Sequence, residues 1–381
     1  MHTPKRPTEI DKEQLYAKFG ITRFADITDL DVIGIPVSIA VRPNSKTLSV
    51  SSGKGVCVEA ANLCAYMVAI EASTCEDIGG QVAFVCSWQE LQEKGKTSVP
   101  LGRIARCRIE NFDTARARAW VAGRSMLSNE QVYAPFELVG LDYRIPSHWD
   151  NSAFVMTSGG IGAGFDIEHA LTHALLEIVE DDAVAVAEMF GAFRRVKITK
   201  KLRSSLRNTY LACFHAGFDV VFHLLDSPTK IPVIRCDIYP THSSLASFSA
   251  IVGCGYGTNP NPYLAAKSAL LEAVQSRAVN ISGSREDILD NDYPRGPAKR
   301  NLSCDPVSVD LECLTVNRSM CSREIVKAML CFEAVEDLYH FSLKTRDPSV
   351  FVSRVLAPVY ADCAGAEVLA SNSRLSLIKG Y

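Results

Sequence analysis

None of the thirteen cysteines in this 381-residue chain forms a C-x-x-C pair, and their number is odd. That removes the signatures of a zinc ribbon and of a thioredoxin-like redox motif, and it leaves buried free thiols in a reducing compartment. No apolar run approaches the ~20 residues needed to cross a bilayer. The N-terminus, MHTPKRPTEIDKEQLY, lacks the apolar core of a secretory signal. These absences predict a cytoplasmic protein with no membrane partner. A basic excess is also lacking. The formal net charge is −3, which argues against a dedicated nucleic-acid binder. The one basic patch, RRVKITKKLR (194–203), has no interleaved aromatics on which bases could stack and reads as a solvated helix or strand end. Neither G-x-x-x-x-G-K-[ST] nor G-x-G-x-x-G occurs, so the two commonest phosphate-binding loops are missing.

What is present is the composition of a globular protein, 47% apolar and 22% charged. The length suffices for two or three ordinary domains or one large one. Residues 1–19 read as a polar lead-in with a short helix, and 20–381 as a single domain. Strand language runs through DVIGIPVSIAVRP and TLSVSS, then QVAFVCSW (81–88), VYAPFELVGLDY, FDVVFHLLD, IPVIRCDIYP, SSLASFSAIVGCGYG, YHFSLK and VFVSRVLAPVY. Helices are expected near 113–125, at about 201–216 and over EIVKAMLCFEAVEDLY. The segment 288–306, rich in Asp, Asn, Pro, Gly and Arg, reads as a mobile loop. Strands and helices mix without a regular β-α-β period. The predicted class is α+β, with sheets flanked by helices and a threefold repeated glycine-loop/helix unit.

The repeated helix is the most informative feature. AANLCAYMVAIE (60–71), EHALTHALLEIVE (168–180) and LAAKSALLEAVQ (264–275), aligned on their last residue, place alanine ten and six positions earlier: Ala61/Ala65, Ala170/Ala174 and Ala265/Ala269. Three before the end stand Val68, Glu177 and Glu272; at the end stand Glu71, Glu180 and Gln275. Residues three apart share a helix face, and the small alanines point to a close-packed interior. Carboxylates gathered from several helices are either a metal cluster or a set of surface ion pairs. Glycine-rich stretches precede each copy: SSGKG (51–55), SGGIGAG (158–164) and GCGYG (253–257). Each reads as a tight turn or as an anion cradle at a helix N-terminus. Taken together, Glu71, Glu177, Glu180 and Glu272 beside such turns suit a Mg²⁺–nucleotide site, since Mg²⁺ is shared between carboxylates and phosphates. Two rival constellations are His169, His173 and Glu177 on one helix face as zinc or iron ligands, and Cys57 or Cys64 as a nucleophile.

The blocks GITRFADITDLDVIGIPVSIAVRP (20–43), LSVSSGKG (48–55), HALLEIVEDDA and LLEAVQSRAVNISGSRED (270–287) resemble the YcaO family, from about residue 20 to RVLAP near 358. The first block is most similar to YcaO proteins found with a TfuA partner. The resemblance implies an ATP- and Mg²⁺-dependent activation of a peptide backbone amide: the amide oxygen is phosphorylated, a nucleophile adds and phosphate leaves. Azoline-forming cyclodehydration and thioamidation are both open. By motif position, Glu71, Glu177, Glu180 and Glu272 are implied as metal ligands, and Gln275 and Arg277 as nucleotide contacts. Arg23, Lys54 and Arg285, which lie in matching blocks, are implied as further cofactor-binding residues. The implied partners are a ribosomal precursor peptide and a TfuA-like or E1-like leader-binding protein, with a homodimer allowed. This chain departs from the family pattern at Cys64, Val68, Phe165, His169 and Asp181; His169, Glu168 and Asp182 are candidates to rebuild the site. The alternative function is a catalytically degenerate YcaO-fold scaffold or substrate-binding subunit.

Overall fold

The computed structural model describes residues 15–241, 252–287, 304–314, 319–362 and 373–379. The lead-in before residue 15, most of the 288–306 loop and the segment 242–251 lie outside these. Strands β1 (Arg23–Asp26), β2 (Val37–Val41) and β3 (Val50–Lys54) form an antiparallel three-stranded sheet with β3 at its edge. Helix α1 (Val58–Cys75) follows, then the short α2 (Ile78–Gln81). A second sheet begins with β4 (Val82–Cys86), and after α3 (Trp88–Glu93) continues with β5 (Arg118–Ser125) and β6 (Gln131–Pro135). The one-turn α4 (Phe136–Val139), strand β7 (Ile161–Gly164) and the long α5 (Ile167–Phe190) come next.

The chain then builds a third sheet from β8 (Phe193–Val196), β9 (Phe218–Leu225), β10 (Val233–Pro240), β11 (Gly253–Thr258) and β12 (Cys304–Val309), interrupted by α6 (Lys200–His215) and α7 (Pro262–Ser282). After α8 (Ser322–Leu330) it returns to the second sheet with β13 (Tyr339–Leu343) and β14 (Phe351–Leu356), and α9 (Arg374–Lys379) ends the described chain. The strand orders are β11-β10-β9-β8-β12 and β4-β5-β13-β14-β7, with β6 paired to β5. The protein is α+β: nearly all pairing is antiparallel, with β12 against β8 the parallel exception among these sheets.

Two expectations change. The segment 113–125, alanine- and arginine-rich and read as helix, contains β5. Its Trp120 indole donates to the Cys86 carbonyl at 2.9 Å and is fully buried, and Arg118 pairs with Asp150 at 2.7 Å. Sheet packing on both sides outweighs the helix propensity. The helix over EIVKAMLCFEAVEDLY stops at Leu330.

The glycine stretches are the third difference, and they organise the fold. Their glycines lie in strands: Gly53 in β3, Gly162 in β7 and Gly257 in β11. In each unit a Cβ on that glycine would collide with the helix that follows, 2.3–2.4 Å from the carbonyl oxygen of the alanine eight residues on (Ala61, Ala170, Ala265). It would also lie 2.0–2.7 Å from the amide nitrogen of the alanine twelve on (Ala65, Ala174, Ala269). Strand and helix backbones touch because the strand residue has no side chain and the helix residues have only a methyl group, and all six alanines are fully buried. The three units are one design, glycine strand then alanine helix, at identical spacing.

The helix ends follow from local signals. Asp166 caps α5 by accepting from the His169 amide, and Gly191 closes it in the left-handed conformation, φ 67°. Asn261 and Pro262 start α7 in the same manner and Gly283 ends it.

Candidate functional site

β3, β7 and β11 are each the edge of a different sheet. An edge strand leaves backbone N–H groups without a strand partner, and burial makes that costly unless another acceptor is supplied. At β7 and β11 helix side chains supply it, three glutamates and one serine. Ile161 donates to Glu177 Oε2 at 3.1 Å, and Ala163 to Glu71 Oε1 at 2.8 Å. Tyr256 donates to Glu272 Oε1 at 3.1 Å, and Cys254 to Ser276 Oγ at 3.1 Å.

Each unit also reaches the next. Glu71 of α1 goes to β7; Glu180 of α5 accepts from the Thr258 hydroxyl of β11 at 2.9 Å; Gln275 of α7 donates through Nε2 to Ser52 Oγ of β3 at 2.7 Å. The three units thereby close into a ring, with Glu71, Glu177, Glu180 and Glu272 from three helices on its wall.

The ring concentrates negative charge in a poorly solvated place. Burial pushes Glu71 up to about 7, only partly offset by the Ala163 amide. Burial again, then the neighbouring Glu272, pushes Glu180 up to about 8. Glu177 is raised well above the usual carboxylate range by burial, with Asp181 and Glu71 adding to it. Such a site favours a cation. The protein supplies one of its own: the Lys54 ammonium pairs with Glu272 Oε2 and is stabilised further by Glu180. Burial acts against the Lys54 charge, and the carboxylates overcome it.

The donor set fits Mg²⁺. It is all oxygen, and Glu71 Oε2, Glu177 Oε1 and Glu180 Oε1 carry no hydrogen bond from the described residues. Among the described residues no three His, Cys, Asp or Glu side chains converge on one point as a ready-made ligand cage. Mg²⁺ does not need one, because it keeps waters and phosphate oxygens and takes one or two carboxylates.

The remaining sequence candidates are placed elsewhere. Arg277 is 1% exposed, bonded to Asp31 at 2.8 and 3.0 Å and stacked over Phe218 at 4.5 Å. Arg285 pairs with Asp287 at the surface, and Arg23 is exposed on β1. His169 and His173 pack ring against ring, centroids 4.7 Å apart, and no third ligand joins them to make the zinc or iron set, among the described residues. Cys57 is an exposed free thiol at the start of α1, and Cys64 a half-buried one near Lys54.

Of the residues considered for rebuilding the site, Glu168 caps α8 through the Ser322 amide and hydroxyl, at 2.7 and 2.8 Å. Asp182 is buried against Arg374, 2.9 Å away. Both are structural, because their oxygens already hold α8 and α9. Asp181 lies over Gly159, where a Cβ would stand 2.3 Å from Oδ2, and with Arg106 and Asp362 lines a small cavity behind the ring.

Sequence reasoning missed Thr258, Ser52 and Ser276 as ring members, and it missed Arg354. This arginine is fully buried on β14, its Nη1 without a hydrogen-bond partner among the described residues, and acts electrostatically on Glu177. The signal for Thr258 was available. It is the residue after Gly257, the position that receives Glu71 at Ala163 in the preceding unit.

Among the described residues no helix is long and apolar enough to cross a membrane. The family signature described as YcaO cyclodehydratase, ATP- and Mg²⁺-binding, matches residues 52–308. An uncharacterized protein in the tfuA 3′ region of Rhizobium leguminosarum bv. trifolii is 33% identical over 285 residues, 73% of this chain and 66% of that protein. The chain thus spans about two thirds of that relative's length. An uncharacterized protein of Methanothermobacter thermautotrophicus is 27% identical over 372 residues, 93% of each chain.

Among solved structures, the YcaO protein of Methanopyrus kandleri bound with AMPPCP and Mg²⁺ superposes with TM-score 0.68 at 21% identity, covering 92% of this chain and 89% of that one. A heterocyclase in complex with substrate and cofactor gives 0.70 at 17% identity, over 95% and 54%. These two likenesses are of fold. With the family signature spanning most of the ring, this chain belongs to the YcaO family.

Proposed function

We propose that this chain uses ATP and Mg²⁺ to activate backbone amides of a ribosomally made peptide, working with a separate partner protein of TfuA-like or E1-like, leader-binding kind. The observation that carries the proposal is the ring: four glutamates from three helices, three held on edge-strand amides and one on the Thr258 hydroxyl, with open oxygens and a lysine ammonium among them.

When bound, Mg²⁺ and ATP supply Lewis-acid charge and a transferable phosphoryl group that turns a poor leaving group, amide oxygen, into a good one. The chain's residues do the positioning. Edge-strand N–H groups fix one oxygen of Glu71, Glu177 and Glu272 and leave the geometry of the other preset, so little reorganisation remains at the moment of reaction. Gln275 and Ser52 close the ring between α7 and β3 with a neutral contact. Arg354 places a fixed positive charge behind Glu177 without occupying its open oxygen.

Azoline formation and thioamidation share this activation and differ in the nucleophile. The tfuA-region relative favours a partner-assisted reaction.

The test is a reconstitution with candidate precursor peptide, ATP, Mg²⁺ and partner, read by mass spectrometry. Loss of water marks an azoline, and exchange of oxygen for sulfur marks a thioamide. Thermal stabilisation of the chain by Mg²⁺–AMPPCP is the companion measurement, since a ligand bound only by the folded state raises its apparent stability. The scaffold reading draws on Val68, an apolar side chain at the position where the other two units carry a glutamate. No stabilisation by Mg²⁺–AMPPCP, with and without peptide and partner, would establish it and sink the enzyme.

A further inference from the structure

The three joints of the ring have the same backbone and unequal charge. At the α1/β7 joint Glu71 meets a backbone amide, and at the α5/β11 joint Glu180 meets a hydroxyl. At the α7/β3 joint the helix presents an amide, Gln275, and the strand carries Lys54. Lys54 follows Gly53 just as Ala163 follows Gly162 and Thr258 follows Gly257. Its ammonium takes Glu272 Oε2, while Glu272 Oε1 already accepts from Tyr256. Among the described residues Glu272 is therefore the one ring glutamate with both oxygens engaged; Glu71, Glu177 and Glu180 each keep one open.

The glutamates also share edge strands two by two: Glu177 and Glu71 are held on β7, at Ile161 and Ala163, and Glu272 and Glu180 on β11, at Tyr256 and Thr258. An ammonium stands at the second pair. At the first, the nearby cation is the fully buried Arg354, whose Nε and Nη2 are held by the Leu138 and Thr157 carbonyls. Unit 1 could have offered a further carboxylate at the position of Glu177 and Glu272, and it offers Val68, 38% exposed.

We infer that Lys54 is a built-in cation that takes the place of a divalent ion at the Glu180/Glu272 pair, so that the ring binds one divalent ion, at Glu71/Glu177. This rests on the Mg²⁺–nucleotide reading above and adds the number of ions and the residue that sets it. A monovalent ammonium on a flexible stem competes with a metal by charge alone and cannot be displaced without leaving itself desolvated. Removing it leaves Glu272 Oε2 and Glu180 Oε1 open together, with the charge deficit that draws a second ion.

The experiment counts Mn²⁺ per chain by electron paramagnetic resonance at saturating AMPPCP, with folding of each variant checked by its thermal transition. The wild type is expected to bind one ion, Lys54→Arg one, and Lys54→Met two. Without nucleotide, Lys54→Met is expected to bind Mn²⁺ at least about tenfold more tightly than wild type, an effect that mere loosening of the site would not produce. Two ions in the wild type, or one in a folded Lys54→Met, overturn the assignment of Lys54 and leave the nucleotide site standing. No ion in the wild type overturns both.

Discussion

Units 1 and 2 of the ring can be laid over each other residue by residue. Both run glycine, then alanine at eight and twelve, then a site position at fifteen and another at eighteen: Gly53, Ala61, Ala65, Val68, Glu71 against Gly162, Ala170, Ala174, Glu177, Glu180. The first three positions are unchanged because a Cβ or a larger side chain there meets backbone. The fifteenth differs, Val68 against Glu177, and the eighteenth is glutamate in both units but Gln275 in the third, since these side chains face the ring, where charge and ligand decide. The repeat is a packing device that exports chemistry to two variable positions. Unit 1 has exchanged a carboxylate for an apolar group and placed a lysine on its strand.

If packing is the shared part, equivalent glycines should fail alike. Gly53→Val, Gly162→Val and Gly257→Val are each expected to cost at least about 3 kcal/mol or to prevent folding, with values close to one another. Gly102→Ala, whose new Cβ has 3.8 Å to its nearest neighbour, should stay within about 0.5 kcal/mol. Denaturant melts of the four variants decide this, and a well-folded Gly162→Val would break the comparison at its base.

The next effect concerns a buried cation outside the ring. Arg277→Met should lose about 3–5 kcal/mol by stranding Asp31 in the interior. Arg277→Met combined with Asp31→Leu should recover part of the loss if the arginine is a packing element. A Kd for AMPPCP that the double variant leaves unchanged would separate Arg277 from the nucleotide.

At the variable positions stability and function should move in opposite directions. Glu180→Gln is expected to reduce peptide modification by at least about a hundredfold while raising the melting temperature of the protein in EDTA at pH 8. The sign follows from linkage. A carboxyl held near 8 in the folded state, against ~4.3 unfolded, contributes stability that is fully present below ~4.3 and is lost as pH rises through about 8. The metal-free wild type should therefore melt progressively lower from pH 5 to pH 9, and Glu180→Gln should flatten that slope. An unaltered slope would show that Glu180 is ionised and solvated in the ring.

The smallest effect is expected at Arg285→Ala. Its ion pair with Asp287 is more than a third exposed on both sides, so the loss should be below about 1 kcal/mol. A much larger drop in AMPPCP affinity than in stability would bring Arg285 into the site.

The class of fold was readable from the mixture of strands and helices, and the three helices from their alanine spacing. The strand at 118–125 was not, because Asp-Thr-Ala-Arg-Ala-Arg-Ala reads as helix until β4, β6 and β13 pair with β5 from both sides. The glycines read as turns because glycine is rare inside strands. Only the distance between Gly162 and Ala170 shows that the glycine serves contact between backbones rather than a change of direction. Glu177, Glu180 and Glu272 were found by periodicity. Periodicity says nothing about what a carboxylate meets across a ring, so Thr258, Ser276 and Arg354 were not.

The sequence by itself determined the repeat, the helix faces and the identity of the residues at the two site positions, since local spacing fixes which side chains share a face. The tertiary structure decided how three units from three sheets meet: that Glu71 serves the strand of the next unit, that Glu168 and Asp182 hold helices, and that Lys54 sits on Glu272, 218 residues away. Contacts at that separation depend on how sheet edges and helices close around one another, and no window of sequence contains both partners.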